Sequence, residues 1–574
     1  MVVNDSPTLE QMLSSEQLAS VRQQRKLFGT NAEPMLVALT SEAEIDPGQV
    51  EHLVKELASV PGVGGALPLA AGVLGDGGGF KASNPSLKAT RLILLWMRAD
   101  VLGLEAARFL QRDIDRVIQR SLVPGQRTAV VGLPRLRSAS WDIVQADARY
   151  LLPLLFAISV AVVAGGFLSW TALGLSLAIT SSTTFVCLAL QFLSGVQVNA
   201  LLVSLVPVIW AIATLDVFHL YVAVARESRR RTRSPTRSGA RQVFFPCLLT
   251  TVTTAGCFLT MTLAGASPLV ASFGLWAAIG TVIAFLLTFS VGAWLLAHGD
   301  RDTNRNIPRW PARFCFALVG TGEKRLRAVL ALWCVVAMAS LLLLPQVQPG
   351  SDYPQVFARD QAVSQEIERL REITGSDLNP VEVILRPRDD AAGSAEGLFS
   401  AVLFTVNYLR TIEETKAVLP FALLQERDLR ELRSSFEHSA GSSRNAPAWM
   451  AQWLGDGVVR VHWYLAPTDF ERKSELFAWV SNFSRDALSG YAITLSGPGY
   501  HTHRIEVLGL ANLAVGFSAS LAIICVAFLL AVGRVPEAIA GALGTLLPLL
   551  AVAGGMALLD IPWSVALLPV PAMV

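Results

Sequence analysis

The chain has 574 residues, of which 52% are hydrophobic and 16% charged, and its mean hydropathy is +0.47. Soluble globular chains contain about 25% charged residues, so this composition excludes a disordered chain and an ordinary soluble enzyme. The net charge of +2 argues against a nucleic-acid partner, which leaves an integral membrane protein as the class that fits.

Residues 1–149 have an ordinary content of charged residues and predict the first of two domains outside the membrane. Strand-like and helix-like segments alternate along them, at 34–40, 47–59, 63–69, 90–98, 102–120 and 127–132. Two successive βαβ units in this order are typical of a ferredoxin-like fold. We therefore expect residues 1–149 to form an α+β domain.

Four blocks of sequence are almost free of charge and predict helices that cross a membrane. The blocks 150–225, 242–297, 328–350 and 507–574 hold 223 residues but only four Asp, Glu, Lys or Arg side chains. A helix crossing the roughly 30 Å hydrocarbon core needs about 20 apolar residues. We expect a bundle of five spans within 150–297 and one span within 328–350. The predicted spans lie near 150–170, 171–193, 198–225, 242–265, 268–297, 328–345, 507–532 and 537–558, and a ninth begins near 562.

Two short basic segments between the spans predict the orientation of the chain. Segment 226–241 carries seven Arg and one acidic residue, and the cytoplasmic linker predicted at 298–327 carries seven basic and three acidic residues. Short loops rich in Lys and Arg stay in the cytoplasm, and Arg534 falls on the same side when the spans are counted. Residues 1–149 and 351–506 are therefore expected to be extracytoplasmic.

Both ends of the chain fit poorly with this topology. Residues 1–30 lack the charged-then-apolar pattern of a signal peptide, although the first domain is expected outside. The ninth span stops at Val574 in the middle of an apolar run. We therefore expect a chain that is truncated at both ends.

Residues 351–506 repeat the pattern of the first domain. MLVALT at 35–40 recurs as VEVILR at 381–386, and AVVGLP at 129–134 recurs as ITLSGP at 493–498. Self-similarity at this scale indicates a duplicated unit, in which an external domain is followed by spans. The second copy has strand-like segments at 381–387, 416–420, 457–465 and 491–496, and helix-like segments at 394–412, 423–437 and 468–488.

Asp216 is the one carboxylate well inside a predicted span. An ionised Asp at this depth costs about 2.5–3.5 kcal/mol on insertion scales, so its presence calls for a partner or for protonation. His219 lies three residues further on and shares the same side of a helix. Asp216 and His219 together are candidates for a proton relay. A structural Asp bonded to hydroxyls of SSTT at 181–184 or TTVTT at 250–254 is the alternative.

The other motifs give only weak evidence for a functional site. GDGGGFKAS at 75–83 lacks the Gly-Lys-Ser/Thr ending of a phosphate loop and is interpreted as a surface turn. His501 and His503 with Glu506 could be part of a metal site, but an interfacial linker is the favoured interpretation. The six cysteines are interpreted as apolar packing residues. We expect no enzyme activity, no cofactor and no metal.

Three stretches of the apolar blocks carry a family resemblance. They are LDVFHLYVAVARE at 215–227, PCLLTTVTTAGCFL at 246–259 and FGLWAAIGTVIAFLLT at 273–288. Together with the duplicated external domain, they resemble the resistance-nodulation-division (RND) superfamily of exporters, closest to its MMPL and sterol-sensing-domain branch. The resemblance runs from about residue 20 to the end of the chain.

The resemblance implies a twelve-span exporter with two extracytoplasmic loops, driven by the proton gradient in the inner (plasma) membrane of a bacterial cell. On that map, the chain holds spans two through nine and part of span ten. Asp216 then lies at the family's proton-relay position in span four, and its partners in span ten would fall beyond Val574. The expected substrate is a lipid or another hydrophobic molecule, and a homo-oligomer is a further expectation.

The chain also departs from the family pattern. Val217 stands where drug-efflux relatives carry a second carboxylate, and Ile212 stands where a glycine is common. Each external domain is about half the size found in tripartite drug pumps, which favours the simpler exporters of lipids. Two alternatives stay open: a non-transporting sterol-sensing-like receptor or scaffold, and a component of protein translocation.

Overall fold

The computed structural model describes residues 22–23, 28, 30–69, 89–98, 104–167, 170–195, 205–230, 232–264, 268–298, 326–343, 362–388, 395–419, 453–455, 457–488 and 490–559. Four predicted features lie wholly or mostly outside these residues: the glycine-rich segment 75–83, the linker 298–327, the helix at 423–437 and the ninth span. The chain divides into a two-sheet unit within Asn4–Asp142 and Ser351–Glu506, and a helical unit within Ile143–Gly350 and Val507–Val574.

The first sheet of the two-sheet unit has antiparallel strands in the order β2-β3-β1-β4. Its elements are β1 (Thr30–Ser41), α1 (Pro47–Ser59), β2 (Val63–Leu69), β3 (Ala89–Arg98), α2 (Leu104–Ser121) and β4 (Arg127–Gly132). This order is that of a ferredoxin-like fold, and it confirms the α+β architecture predicted from the two βαβ units.

Side chains of β1 alternate between two buried faces of this sheet. Met35 and Val37 pack in one core with Leu53 of α1 and Ile114 of α2. Leu36, which points to the opposite face, is buried as well. The first sheet is therefore covered on both sides, although a strand with one exposed face would be expected to alternate apolar and polar residues.

The second sheet repeats the strand order of the first, as β6-β8-β5-β9, with a short strand β7 paired to β8. Its elements are α10 (Ala362–Thr374), β5 (Val381–Pro387), α11 (Ala395–Thr411), β6 (Thr415–Leu419), β7 (Leu454–Gly455), β8 (Val458–Leu465), α12 (Phe470–Asp486) and β9 (Tyr491–Ser496). Helix α10 and strand β7 are additions to the predicted elements. Helix α10 does bury Val363, Ile367 and Leu370 at helical spacing, a signal that is present in the sequence.

The helical unit consists of long apolar helices. They are α3 (Leu133–Phe167), α4 (Trp170–Leu193), α5 (Leu205–Arg229), α6 (Pro235–Ala264), α7 (Pro268–Leu287), a π-helical turn (Thr288–Gly292), α8 (Ala293–His298), α9 (Leu326–Leu343), α13 (Gly497–Val532) and α14 (Val535–Leu558). Helices α4, α6 and α7 all pack against α5, which is the central helix of this group.

Five helical stretches in the described part of the chain are long and apolar enough to cross a membrane. They are Trp170–Leu193, Leu205–Arg229, Pro235–Leu263, Val270–His298 and Val535–Leu558. Two shorter apolar helices are Leu330–Leu343 and Ser518–Val532. The prediction of a multi-pass helical membrane protein with two α+β domains is confirmed.

Candidate functional site

Helix α5 places Asp216 on its buried side. Ile209, Ala213, Val217 and Leu220 line the same side at helical spacing, and Asp216 itself is 6% exposed. Ile209 and Val217 belong to two separate apolar clusters of the bundle. Asp216 is therefore a carboxylate set into an apolar helix interface.

The first of two interhelical contacts near Asp216 lies at Gly280 of α7. A Cβ at Gly280 would lie 2.5 Å from the Cδ1 atom of Ile209 on α5 and 3.5 Å from the Sγ atom of Cys187 on α4. Ile209, Cys187 and Gly280 therefore lie at one level of the bundle, one on each of three helices.

The second interhelical contact lies at Gly292, the last residue of the π-helical turn. A Cβ there would lie 3.7 Å from the side chains of Ile179 on α4 and Leu220 on α5. Ile179, Leu220 and Gly292 define a second level, on the opposite side of Asp216 from the first.

These two levels place Asp216 relative to the neighbouring helices. Asp216 lies seven residues past Ile209 and four residues before Leu220. A proportionate step between the same two levels reaches residue 182 on α4, next to the buried Thr183, and Thr288 at the start of the π-helical turn. Thr183 and Thr288 are both 0% exposed, so they are buried hydroxyl-bearing residues at the depth of Asp216.

The buried threonines of this bundle differ in what their hydroxyls do. Three of them donate to a backbone carbonyl one turn earlier, Thr180 to Ser176, Thr183 to Ile179 and Thr281 to Ala277. Within the described residues, the Oγ1 atom of Thr288 is buried and has no hydrogen-bond partner, and the same is true of the Oδ2 atom of Asp216. The hydroxyl of Thr288, a donor, and the carboxylate of Asp216, an acceptor, therefore both have an unpartnered atom at about the same level of the bundle.

The π-helical turn at Thr288–Gly292 interrupts the regular hydrogen bonding of this long helix. Such turns often occur at functional sites, because they widen the helix and change the direction of its side chains. The turn begins at Thr288 and packs against both α4 and α5. Its position relative to α5 could not be read from the sequence, and Thr288 was not among the predicted site residues.

His219 lies on a different part of α5 from the buried face. Its side chain is exposed, and its ring meets the ring of Phe218 edge-on at 6.2 Å. No hydrogen bond or ion pair joins His219 to Asp216 among the described residues. The hydroxyls of Thr250 and Thr253 donate to backbone carbonyls of their own helix rather than to Asp216. The proton-relay role of Asp216 and His219 stays a prediction.

A buried acid lies at the end of α5, within the segment predicted to be a basic cytoplasmic loop. Glu227 accepts hydrogen bonds from Arg230 at 3.1 Å, from Ser238 at 3.0 Å and from Gln242 at 3.1 Å. Ser238 and Gln242 belong to α6, so Glu227 ties the end of α5 to the start of the next helix. Sequence reasoning treated Glu227 only as the single acid among seven arginines.

The two-sheet unit contains a second buried charge cluster that sequence reasoning missed. The Oε1 atom of Glu382 lies 3.3 Å from Arg460 and 3.4 Å from His462, and all three side chains are at most 2% exposed. Burial favours a raised pKa for Glu382, but Arg460 and His462 outweigh it and hold the pKa below its ordinary value. Burial also lowers the pKa of His462, which favours a neutral ring.

His501 and His503 are buried at the start of α13. The Nε2 atom of His501 lies 3.0 Å from the hydroxyl of Ser496, and that of His503 lies 2.9 Å from the hydroxyl of Ser474. Across the described ranges, no group of three or more His, Cys, Asp or Glu is placed to hold a metal ion. The contacts of both histidines are those of a packed junction between β9, α12 and α13.

Comparison with known families matches residues 167–308 to the model described as "Sterol-sensing domain of SREBP cleavage-activation". The matched residues include α4 to α8 and therefore contain both Asp216 and Thr288. This match confirms the predicted resemblance to sterol-sensing domains over these residues. The chain is a multi-pass membrane protein in which a segment similar to this domain follows the first α+β domain.

One solved structure similar to this chain is SecDF from Thermus thermophilus, a translocon-associated membrane protein. The two share 13% sequence identity with a TM-score of 0.42, over 82% of this chain and 54% of SecDF. The chain therefore spans about half the length of that protein. No curated protein is a significant match to this sequence.

Proposed function

We propose that the chain performs proton-coupled export of lipids or other hydrophobic molecules. The observation that carries this proposal is the burial of Asp216, which is 6% exposed, between apolar helices. A carboxylate inside a membrane span is costly when ionised, and proteins keep such groups chiefly along ion and proton pathways.

Protonation gives this carboxylate a physical means of acting on the bundle. The neutral acid fits the apolar contact between α5 and its neighbours, whereas the ionised form needs hydrogen-bond donors around it. Proton uptake and release therefore favour two different packings of α5 against α4 and α7. A cycle between them couples the proton gradient to movement of the bundle.

The proposed substrate class rests on the type of membrane protein rather than on a resolved pocket. The sterol-sensing match covers the helices around Asp216, and the two α+β domains are small units with one sheet each. Both features favour a substrate that partitions into the membrane over a water-soluble one.

Transport can be tested with the full chain in proteoliposomes that carry a pH gradient and a fluorescent nitrobenzoxadiazole-labelled phosphatidylethanolamine. Wild-type protein is expected to move the labelled lipid between leaflets only while the gradient is present. Asp216→Asn is expected to abolish this movement, while Glu537→Gln, an exposed carboxylate at a helix end, keeps it. Gradient-dependent movement at the wild-type rate in Asp216→Asn would refute the proposal.

A non-transporting sterol-sensing receptor or scaffold is the second candidate, and the match at residues 167–308 favours it specifically. This candidate predicts saturable labelling of α4 to α7 by a photoactivatable cholesterol analogue, without any movement of lipid or protons. The export proposal predicts proton movement through the same protein. The two measurements together separate the candidates.

We also propose that both α+β domains are extracytoplasmic, in the inner membrane of a bacterial cell. The supporting observation is the Arg-rich segment 226–241 between α5 and α6. In a variant without native cysteines, Glu51→Cys on α1 should react with a membrane-impermeant maleimide on intact cells. Arg233→Cys should react only after the cells are opened, and the reverse pattern would overturn the topology.

A further inference from the structure

We propose that Thr288 is a positioning residue for Asp216, whose hydroxyl donates to the ionised carboxylate and releases it on protonation. This inference rests on the proposed proton coupling and names a hydrogen-bond donor on a neighbouring helix for the ionised form of Asp216. In the described structure Oγ1 of Thr288 and Oδ2 of Asp216 are both buried and each lacks a hydrogen-bond partner.

The first support is the face on which Thr288 lies. Gly280, Ala284, Thr288 and Gly292 follow one another at intervals of four residues along α7 and the π-helical turn. Gly280 and Gly292 contact α5 at Ile209 and Leu220, and Ala284 and Thr288 between them are 0% exposed. Thr288 therefore belongs to the row that faces the interface with α4 and α5, where Asp216 is buried.

The second support is the difference between the hydrogen bonds of the buried threonines. A threonine in an apolar helix ordinarily satisfies its hydroxyl by bonding the carbonyl one turn earlier. Thr281, seven residues before Thr288 on the same helix, does this at 2.8 Å to Ala277. Thr288 does not, and it is the residue at which the regular helix changes to a π-helical turn. Its hydroxyl is thus free to serve an acceptor on another helix.

The third support is the lack of any nearby cation for an ionised Asp216 within the described helices. The elements α4, α7 and the π-helical turn contain no Asp, Glu, Lys, Arg or His. The titratable or charged residues in the sequence of the surrounding helices are Arg135, Arg137, Asp142, Asp147, Arg149 and Tyr150 of α3, Cys187 of α4, His219, Tyr221, Arg226, Glu227 and Arg229 of α5, Arg237, Arg241, Cys247 and Cys257 of α6, and His298 of α8.

Among these groups, Cys247 of α6 carries a thiol that is buried in the bundle. A neutral thiol is a weak hydrogen-bond donor and supplies no positive charge. A hydroxyl at the same depth is the better donor for a carboxylate, because a hydrogen bond to an ionised acceptor is stronger than one between neutral groups. Thr288 fits this requirement.

The pairing can be measured without transport, through the reaction of Asp216 with dicyclohexylcarbodiimide, which modifies protonated carboxyls in membranes. The full chain in lipid nanodiscs is labelled across a pH series, and labelling at Asp216 is quantified by mass spectrometry. Thr288→Val removes the hydroxyl at nearly constant volume. It should move the midpoint of labelling upward by about one pH unit, because the ionised form loses a hydrogen bond.

Two variants serve as matched controls. Thr288→Ser keeps the hydroxyl, and Thr281→Val makes the same substitution at an equally buried position of α7 whose hydroxyl already has a partner. Both should leave the midpoint at the wild-type value. An unchanged midpoint in Thr288→Val, or an equal shift in Thr281→Val, would overturn the pairing.

A second variant and a second signal keep the test decisive. Thr288→Ala removes the hydroxyl without adding volume, and infrared spectroscopy follows the protonated-carboxyl band that Asp216→Asn removes. The pH at which this band disappears should shift upward in Thr288→Ala as it does in Thr288→Val. Lipid movement by Asp216→Asn tests proton coupling separately. If the Thr288 variants shift the midpoint but Asp216→Asn still moves lipid at the wild-type rate, the pairing stands and the proposed function is refuted.

Discussion

Gly239 on α6 lies directly against the backbone of Val224 on α5. A Cβ at Gly239 would come 2.7 Å from the nitrogen of Val224 and 2.8 Å from its Cα atom. A backbone neighbour cannot rotate away, so a residue without a side chain allows the two helices to approach this closely. The contact lies two turns from Asp216 along α5 and fixes the position of the helix that carries it.

Gly239→Val is expected to force α5 and α6 apart. The substitution should lower the stability of the full chain by about 1–3 kcal/mol, the usual range for overfilling a packed site. Thermal unfolding in detergent measures the loss. Gly174→Val on α4 is the matched control, because nothing lies within 4 Å of a Cβ at that helical position. Equal stability of the two variants would contradict the close approach.

The second prediction concerns the buried ion pair of Glu382 and Arg460. Glu382→Leu leaves the guanidinium of Arg460 buried without its carboxylate, and such a loss costs about 3–5 kcal/mol. The double variant Glu382→Leu with Arg460→Leu removes both charges and should regain most of the lost stability. Thermal unfolding of the full chain compares the wild type, the single variant and the double variant.

The first sheet supplies a natural precedent for this double variant. Leu36 occupies the position of Glu382, and Leu92, which is opposite Ala38, occupies the position of Arg460, which is opposite Ile384. Apolar side chains are therefore accepted at equivalent strand positions of the same fold. A double variant that is less stable than Glu382→Leu alone would contradict the prediction. It would mean that Arg460 stabilises the second sheet even without its carboxylate.

The histidines at the start of α13 predict how stability depends on pH. Burial lowers the pKa of His501 and of His503 to about 4, from an ordinary value of 6.5. Glu382 partly opposes this for His501, while Lys473 and Arg504 add to it for His503. Between about pH 6.5 and pH 4 the unfolded chain binds protons that the folded chain excludes, so stability should fall as the pH drops through this window.

The double variant His501→Gln with His503→Gln removes both groups that titrate here while keeping a side chain able to reach the serine hydroxyls. Its melting temperature should therefore fall less steeply than that of the wild type between pH 6.5 and pH 4. Melting curves of both proteins at a series of pH values provide the comparison. Parallel slopes would mean that other groups control the acid response.

Much of the architecture was predictable because the signals are local. The alternation of MLVALT and the near-absence of charge in four long blocks identify strands and spans before any contact is known. Asp216 was found for the same reason, since a carboxylate in an apolar helix is conspicuous by itself. The exposed position of His219 follows from the rotation of α5 against its neighbours, which a spacing of three residues does not determine.

Thr288 and Glu382 show what the sequence could not supply. A threonine in an apolar helix is ordinary, and the significance of Thr288 depends on the register of α7 against α5 and on a π-helical turn. Glu382 in VEVILR predicts a strand with a solvated face. Its burial instead comes from contacts made across the two-sheet unit, where Trp453 beside β8 meets Trp96 of the first sheet at 6.2 Å.

The most direct test of proton coupling through Asp216 is the proton flux of the full chain in proteoliposomes, followed with a pH-sensitive dye after a pH gradient is imposed. Wild-type protein should dissipate the gradient, Asp216→Asn should reduce the flux at least tenfold, and Asp216→Glu should restore part of it by returning a titratable carboxyl. Proton flux in Asp216→Asn equal to that of the wild type would contradict a relay at this residue.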